Sequence, residues 1–221
     1  MADLTEPNRN SLASVIQHTL IAVGTTRDQV IAHAEECVTY GFDAAMVAGS
    51  WVAETAAVLR GTDINVASAL DFPTVGVMTS AGKAAEAAEL VRLGAQQLDI
   101  GVQIGWLKSG DYAAFRDDIA GVVDAGVPVK VMLELPLLTE DERTAAIELS
   151  IEAGARYLKN ASSGQIEVAN PTSIRYLADR APEGVLVKAS GGITSRDQVL
   201  ALLDAGASLV GSSAGIDIVT S

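Results

Sequence analysis

The chain has 221 residues, 49% of them hydrophobic, a formal net charge of −13 and a sequence pI near 4.4. This length suits one domain with a sizeable core, and the apolar content excludes a disordered chain. The acidic balance argues against nucleic acid, whose phosphates require clustered Lys and Arg; a small anionic substrate stays compatible, because a local site can oppose the net charge.

Residues 1–12 are polar and read as a lead-in segment, with no apolar secretory stretch. No uncharged apolar run reaches the roughly 18 residues of a spanning helix, so no membrane association is expected. Cys37 is the only cysteine, which excludes an internal disulfide framework. These features describe a soluble cytoplasmic protein.

Beyond the lead-in, one phrase recurs: an Ala-rich amphipathic stretch, a glycine, a small residue, then a short apolar run. It occurs at Gly41, Gly94, Gly126, Gly154 and Gly206. A glycine there suits a helix C-terminus, and the apolar run suits a strand buried on both faces. Strands are predicted at Val15–Thr19, Ala44–Val47, Asn65–Leu70, Gln97–Val102, Val129–Leu133, Arg156–Lys159, Leu186–Ala189 and Leu209–Gly211. Helices are predicted at Arg27–Tyr40, Trp51–Leu59, Thr79–Leu93, Asp111–Asp124, Glu140–Ala153, Thr172–Asp179, Ser195–Asp204 and briefly after Ser213. Capping signals mark two of these starts: Thr139 two residues before Asp141, and Ser195 three before Gln198. Eight strands alternating with helices give an α/β fold, a single-domain (β/α)8 barrel over residues 1–221, with a doubly wound open sheet as the runner-up. No dinucleotide fingerprint or P-loop pattern follows any strand.

The lysines carry the chemistry. Of the five in the chain, Lys130, Lys159 and Lys188 lie in strand-like apolar runs, where an unpaired ammonium loses its hydration. In a barrel they would come from consecutive strands, with Asp99 on the strand before, and active-site groups gather at strand C-termini. Desolvation and neighbouring cations both lower a lysine's pKa, and a neutral amine attacks carbonyls to form a Schiff base. The residues alone leave a second reading open, in which each lysine pairs with a structural carboxylate such as Asp99 or Glu134.

Two Gly/Ser clusters, Ser190-Gly191-Gly192 and Gly211-Ser212-Ser213, fall after strands seven and eight, where barrels commonly hold phosphate; tight turns would use the same residues. His18 could reach the barrel mouth or be a core histidine, and His33 lies on a predicted surface helix. The two histidines and one cysteine are far apart in sequence and form no zinc pattern. No metal or cofactor is expected.

The segments LVRLGAQQLDIGVQIGWLKSGDY, VKVMLE, EAGARYLKNASSG, VKASGGIT and AGASLVGSSAGIDIV resemble the deoxyribose-phosphate aldolases, from about Val15 to the C-terminus. The resemblance implies a (β/α)8 barrel and a class I aldolase that reversibly cleaves 2-deoxyribose 5-phosphate to glyceraldehyde 3-phosphate and acetaldehyde. It implies Lys159 as the Schiff-base lysine, Lys188 as the lysine that lowers its pKa, and Asp99 as the proton-relay aspartate. Lys130 matches a lysine near the site, and Gly191, Gly192, Ser212 and Ser213 fall where the family holds the substrate phosphate. A homodimer is likewise implied. The chain departs from the family at Gln17, where an aspartate is usual, at Asp71, and in the loop after Lys159, which is one residue longer. Those departures leave two alternatives: a divergent Schiff-base aldolase acting on another sugar phosphate or aldehyde pair, and a catalytically silent relative that binds a metabolite.

Overall fold

The computed structural model describes residues 12–221. The lead-in reading therefore falls outside the described residues, except for Leu12, which is buried. The strands are β1 (Ile16–Leu20), β2 (Ala44–Val47), β3 (Asn65–Leu70), β4 (Gln97–Gly101), β5 (Val129–Met132), β6 (Tyr157–Lys159), β7 (Leu186–Ser190) and β8 (Leu209–Ser212). They pair in sequence order, all parallel, and β8 closes on β1, so the sheet is a barrel and the open-sheet alternative is excluded. The described helices are α1 (Arg27–Tyr40), α2 (Val52–Val58), α3 (Ser80–Leu93), α4 (Ile104–Lys108), α5 (Tyr112–Val123), α6 (Glu140–Glu152), α7 (Pro171–Ala178), α8 (Arg196–Asp204) and α9 (Gly215–Thr220).

Every expected strand and long helix is present within a residue at either end. The sequence reading missed α4, whose five residues, IGWLK, are too few to show a helical period. It also mistook one capping partner: Thr139 forms a capping box with Glu142 rather than Asp141. All five glycines of the recurring phrase have positive φ. At Gly94 and Gly206 there is a second constraint, because a Cβ would lie 2.7 Å from that of Ala56 and 2.6 Å from that of Ala178.

Strand alternation divides the buried residues into two zones. One set, including Ile16, Val47, Val66, Ile100, Val131, Leu158, Val187 and Val210, belongs to the continuous core between barrel and helices. The opposite set faces the barrel axis. There, Ala44, Met46 and Ala67 form a separate small apolar cluster with Ile21 and Ala69. Barrel interiors are ordinarily filled by bulky branched side chains. Here β2 contributes Ala44 and Met46 and β3 Ala67 and Ala69, while the wall of β4 to β7 carries Asp99 and the three lysines.

Candidate active site

Sheet register sets the height of each functional side chain. Lys159 lies directly beside Lys188 and opposite Met132. Lys130 pairs with Asp99 on one side and Tyr157 on the other, two residues below Lys159 along β6. All four charged groups occupy inward positions, so the barrel brings them around one point.

That point is the Asp99 carboxylate. Lys159 Nζ and Lys188 Nζ both donate to its Oδ2, at 2.8 and 2.6 Å. Lys130 Nζ lies 3.2 Å from Oδ1, in an ion pair without hydrogen-bond alignment, and 5.6 Å over the Tyr157 ring. The reading in which each amine has its own acid fails: one carboxylate serves three lysines. Glu134 takes no part in those ion pairs; its Oε1 instead accepts the Ser162 N–H at 3.0 Å.

Three ammonium ions against one carboxylate would leave a buried excess of positive charge, which a low-dielectric interior penalises strongly. The downward push falls on Lys188, held well below the ordinary lysine range by burial and, against the attraction of Asp99, by Lys159 and Lys130. Lys130 is lowered in the same sense, chiefly by burial. Burial alone would raise the Asp99 pKa, but Lys159, then Lys188 and Lys130, outweigh it and keep the group ionised. Lys159 and Lys188 share that one acceptor oxygen. Accessibility distinguishes the three lysines. The Lys159 side chain is 8% exposed, against 1% for Lys188 and 0% for Lys130. Lys159 is thus the most accessible of the three amine side chains.

Gln17 adds a fifth member that sequence reasoning noticed only as a departure. Its Oε1 accepts from Lys188 Nζ at 2.6 Å. Its Nε2 donates to Asp43 Oδ2 and Gln97 Oε1, each at 2.7 Å. Inward alternation on β1 with Thr19 was the signal that could have placed it.

The segment after Lys159 is fastened to β7. Buried Asn160 donates to the Ser190 carbonyl at 3.0 Å and to Glu167 Oε2 at 2.7 Å, and its Oδ1 accepts the Ser190 N–H at 2.9 Å. Gly191, with φ of +113°, lets the Glu167 carbonyl approach so closely that a Cβ would collide with it. Of the expected phosphate residues, Gly192 and Ser213 are exposed, whereas Gly191 and Ser212 are buried. The Ser212 hydroxyl is already engaged, donating to the Ile193 carbonyl at 2.7 Å and accepting the Ala214 N–H at 3.0 Å. Ser212 thus ties the two loops together. Gly191, Gly192 and Ser213 lie on adjacent loops and Ser212 ends β8, since β7 and β8 are paired up to Ser190 and Gly211.

A second buried polar network, centred on Lys83, escaped the sequence reading. Lys83 is fully buried, 2.7 Å from Asp118 Oδ2, 3.0 Å from Asp71 Oδ2 and 2.8 Å from the Gly101 carbonyl. Asp71, at φ of +54°, also accepts the N–H groups of Gly76, Val77 and Met78 at 2.9 to 3.1 Å. This network shapes the β3–α3 loop beside β4, and it explains the departure at Asp71.

His33 is buried rather than on the surface. Its ring centroid lies 4.5 Å from that of His18, which also stacks on Phe42 at 4.8 Å. His18 is therefore a core histidine on the outer face of β1. Burial, and then His18, push the His33 pKa down to about 4. With Glu36 these histidines form the one group among the described residues whose donor atoms could share an ion, all within 4.8 Å of one another. The group faces α1 rather than the lysines.

No family model matches the chain. Individual proteins do. A deoxyribose-phosphate aldolase of Methanothermobacter thermautotrophicus is 39% identical over 221 residues, covering 99% of this chain and 98% of the relative. One from a Geobacillus strain is 35% identical over 213 residues, 95% of each. Among solved structures, a tetrameric deoxyribose phosphate aldolase from Aeropyrum pernix has a TM-score of 0.88 at 28% identity, covering 96% of this chain and 91% of that one. Relatives of this identity match along nearly their whole length, and a solved structure shares the barrel. The chain accordingly belongs to the deoxyribose-phosphate aldolase family.

Proposed function

We propose that this protein is a class I aldolase that cleaves 2-deoxyribose 5-phosphate to glyceraldehyde 3-phosphate and acetaldehyde, reversibly, through a Schiff base on Lys159. One observation carries the reading: Lys159 and Lys188 donate to a single oxygen of Asp99, and Lys159 is the more accessible of the two. The names of the full-length relatives supply the substrate.

In the cleavage direction, the Lys159 amine attacks the C1 aldehyde, and loss of water gives an iminium. The C3 hydroxyl gives up its proton to water or to the Asp99–Lys188 pair. The C2–C3 bond breaks, its electrons flow to the iminium nitrogen, and glyceraldehyde 3-phosphate leaves. The enamine is protonated at C2, and hydrolysis of the new iminium frees acetaldehyde and restores Lys159. Lys188 supplies and recovers the proton next to the nucleophile. Lys130 adds positive charge beneath Asp99. Gly191, Gly192, Ser212 and Ser213 shape the loops that receive the phosphate, where backbone N–H groups act as donors.

A metabolic role of this kind suits the cytoplasm, a placement supported by the single buried Cys37 and by the lack of any described helix long and apolar enough to cross a membrane. Borohydride reduction in the presence of acetaldehyde, read by peptide mass, tests the assignment. The adduct is expected on Lys159. A label elsewhere, or none with acetaldehyde or 2-deoxyribose 5-phosphate, refutes it.

A further inference from the structure

Gln17 is completely buried on the barrel axis side of β1, and the direction of its amide is fixed by its partners. Reversing it would point its oxygen at the Asp43 carboxylate, which can only accept, and replace that hydrogen bond by repulsion. The oxygen therefore faces Lys188. Gly211 completes the seat: a Cβ there would lie 3.2 Å from Lys188 Cε and 3.7 Å from Nζ, so its missing side chain lets the lysine lie against β8.

A neutral lysine amine has two N–H bonds and one lone pair. At Lys188 two acceptors, Gln17 Oε1 and Asp99 Oδ2, each lie 2.6 Å from the nitrogen. We propose that Gln17 is a positioning residue for Lys188: together with Asp99 it occupies two N–H directions, so the third position, a proton or a lone pair, keeps one fixed orientation. This rests on the reading above, in which Lys188 exchanges a proton beside the Schiff-base nitrogen. When Lys188 gives up that proton, the N–H bonding pair stays on nitrogen as the lone pair, and neither hydrogen bond to Gln17 or Asp99 has to break. When it takes a proton back, the same lone pair forms the bond. The amide is neutral; a carboxylate in its place, usual in the family, would favour the ammonium form more strongly.

Two variants test the inference. Gln17→Glu combined with Asp43→Asn exchanges amide and acid at unchanged net charge. The amide introduced at position 43 can donate to the carboxylate introduced at position 17, and the Gln97 amide can turn to do the same. In substrate-free protein, a lysine 13Cε titration by NMR, with Lys188 assigned from Lys188→Met, is expected to move Lys188 upward by about one pH unit or more. Gln17→Asn withdraws the acceptor by one methylene and keeps the amide. Its kcat is expected to fall about tenfold with KM nearly unchanged, with the limb of the pH–kcat profile displaced.

A parental Lys188 titration in the folded double variant overturns the proposal, as do a parental kcat and pH profile in Gln17→Asn. A fall in kcat accompanied only by a lower unfolding midpoint, with an unmoved pH profile, also overturns it, since that is a structural role. The NMR arm needs no turnover. A protein inert toward 2-deoxyribose 5-phosphate whose Lys188 nevertheless shifts in the double variant would sink the aldolase reading and leave the positioning role standing.

Discussion

Lys159 and Lys188 are neighbours in sheet register, and their nitrogens meet on one atom, Oδ2 of Asp99, at 2.8 and 2.6 Å. Two amines on one acceptor atom can pass a proton with almost no movement of heavy atoms. The same closeness makes both depend on a single negative charge.

Replacing Asp99 with Asn keeps the shape and removes that charge. The lysines are left with an amide that can accept but cannot neutralise them. Stability at neutral pH is expected to fall by roughly 3–5 kcal/mol, as for a broken buried ion pair, and kcat by roughly 10²–10⁴. Urea unfolding and steady-state kinetics check both. A variant with parental stability and turnover would remove Asp99 from the centre of the site.

Lys83 offers a contrast, a buried lysine whose partners are structural. Lys83→Met strands Asp71 and Asp118 without their cation, so destabilisation of roughly 3–5 kcal/mol is expected from uncompensated buried charge. Turnover per folded molecule should change far less than in Asp99→Asn. Active-site titration by borohydride trapping, set against urea midpoints, separates the two effects.

His33 makes folding pH-dependent in a defined window. Its pKa is about 4 when folded and 6.5 in the reference state, with burial the main cause. Between those values the unfolded chain binds the proton and the folded chain does not, so stability falls as pH drops through the window and the loss levels off below about 4. The difference corresponds to about 3 kcal/mol. Urea unfolding at about pH 7 and about pH 4.5 should show part of this loss, reduced in His33→Asn. An unchanged pH dependence in that variant would shift the cause to other groups.

Ser213 is the exposed serine of the proposed phosphate loops. Ser213→Asp puts a negative charge there without disturbing the engaged Ser212 hydroxyl. KM for 2-deoxyribose 5-phosphate is expected to rise about tenfold, equivalent to about 1.4 kcal/mol, while the unphosphorylated sugar responds little. Equal effects on both sugars would place the phosphate elsewhere.

The chain itself determined the barrel. Its recurring helix–glycine–strand phrase is a local pattern, set by a left-handed turn at each helix end and an apolar run behind it, and local patterns are legible without knowing what packs against what. It also marked Lys130, Lys159, Lys188 and Asp99, because charged residues in buried strands violate the ordinary distribution. Gln17 and Asn160 carry no such mark, since a polar amide in a strand or loop is commonplace. The roles of His33 and Lys83 were equally hidden, as helix periodicity does not say how deep a face is buried. Only closure of the sheet decided that three amines converge on one carboxylate, that Lys159 is the most accessible of them, and that Gln17 stands behind Lys188. Those relations join residues as far as 171 positions apart, and a distance of that kind is set by strand register around the ring rather than by any neighbouring residue.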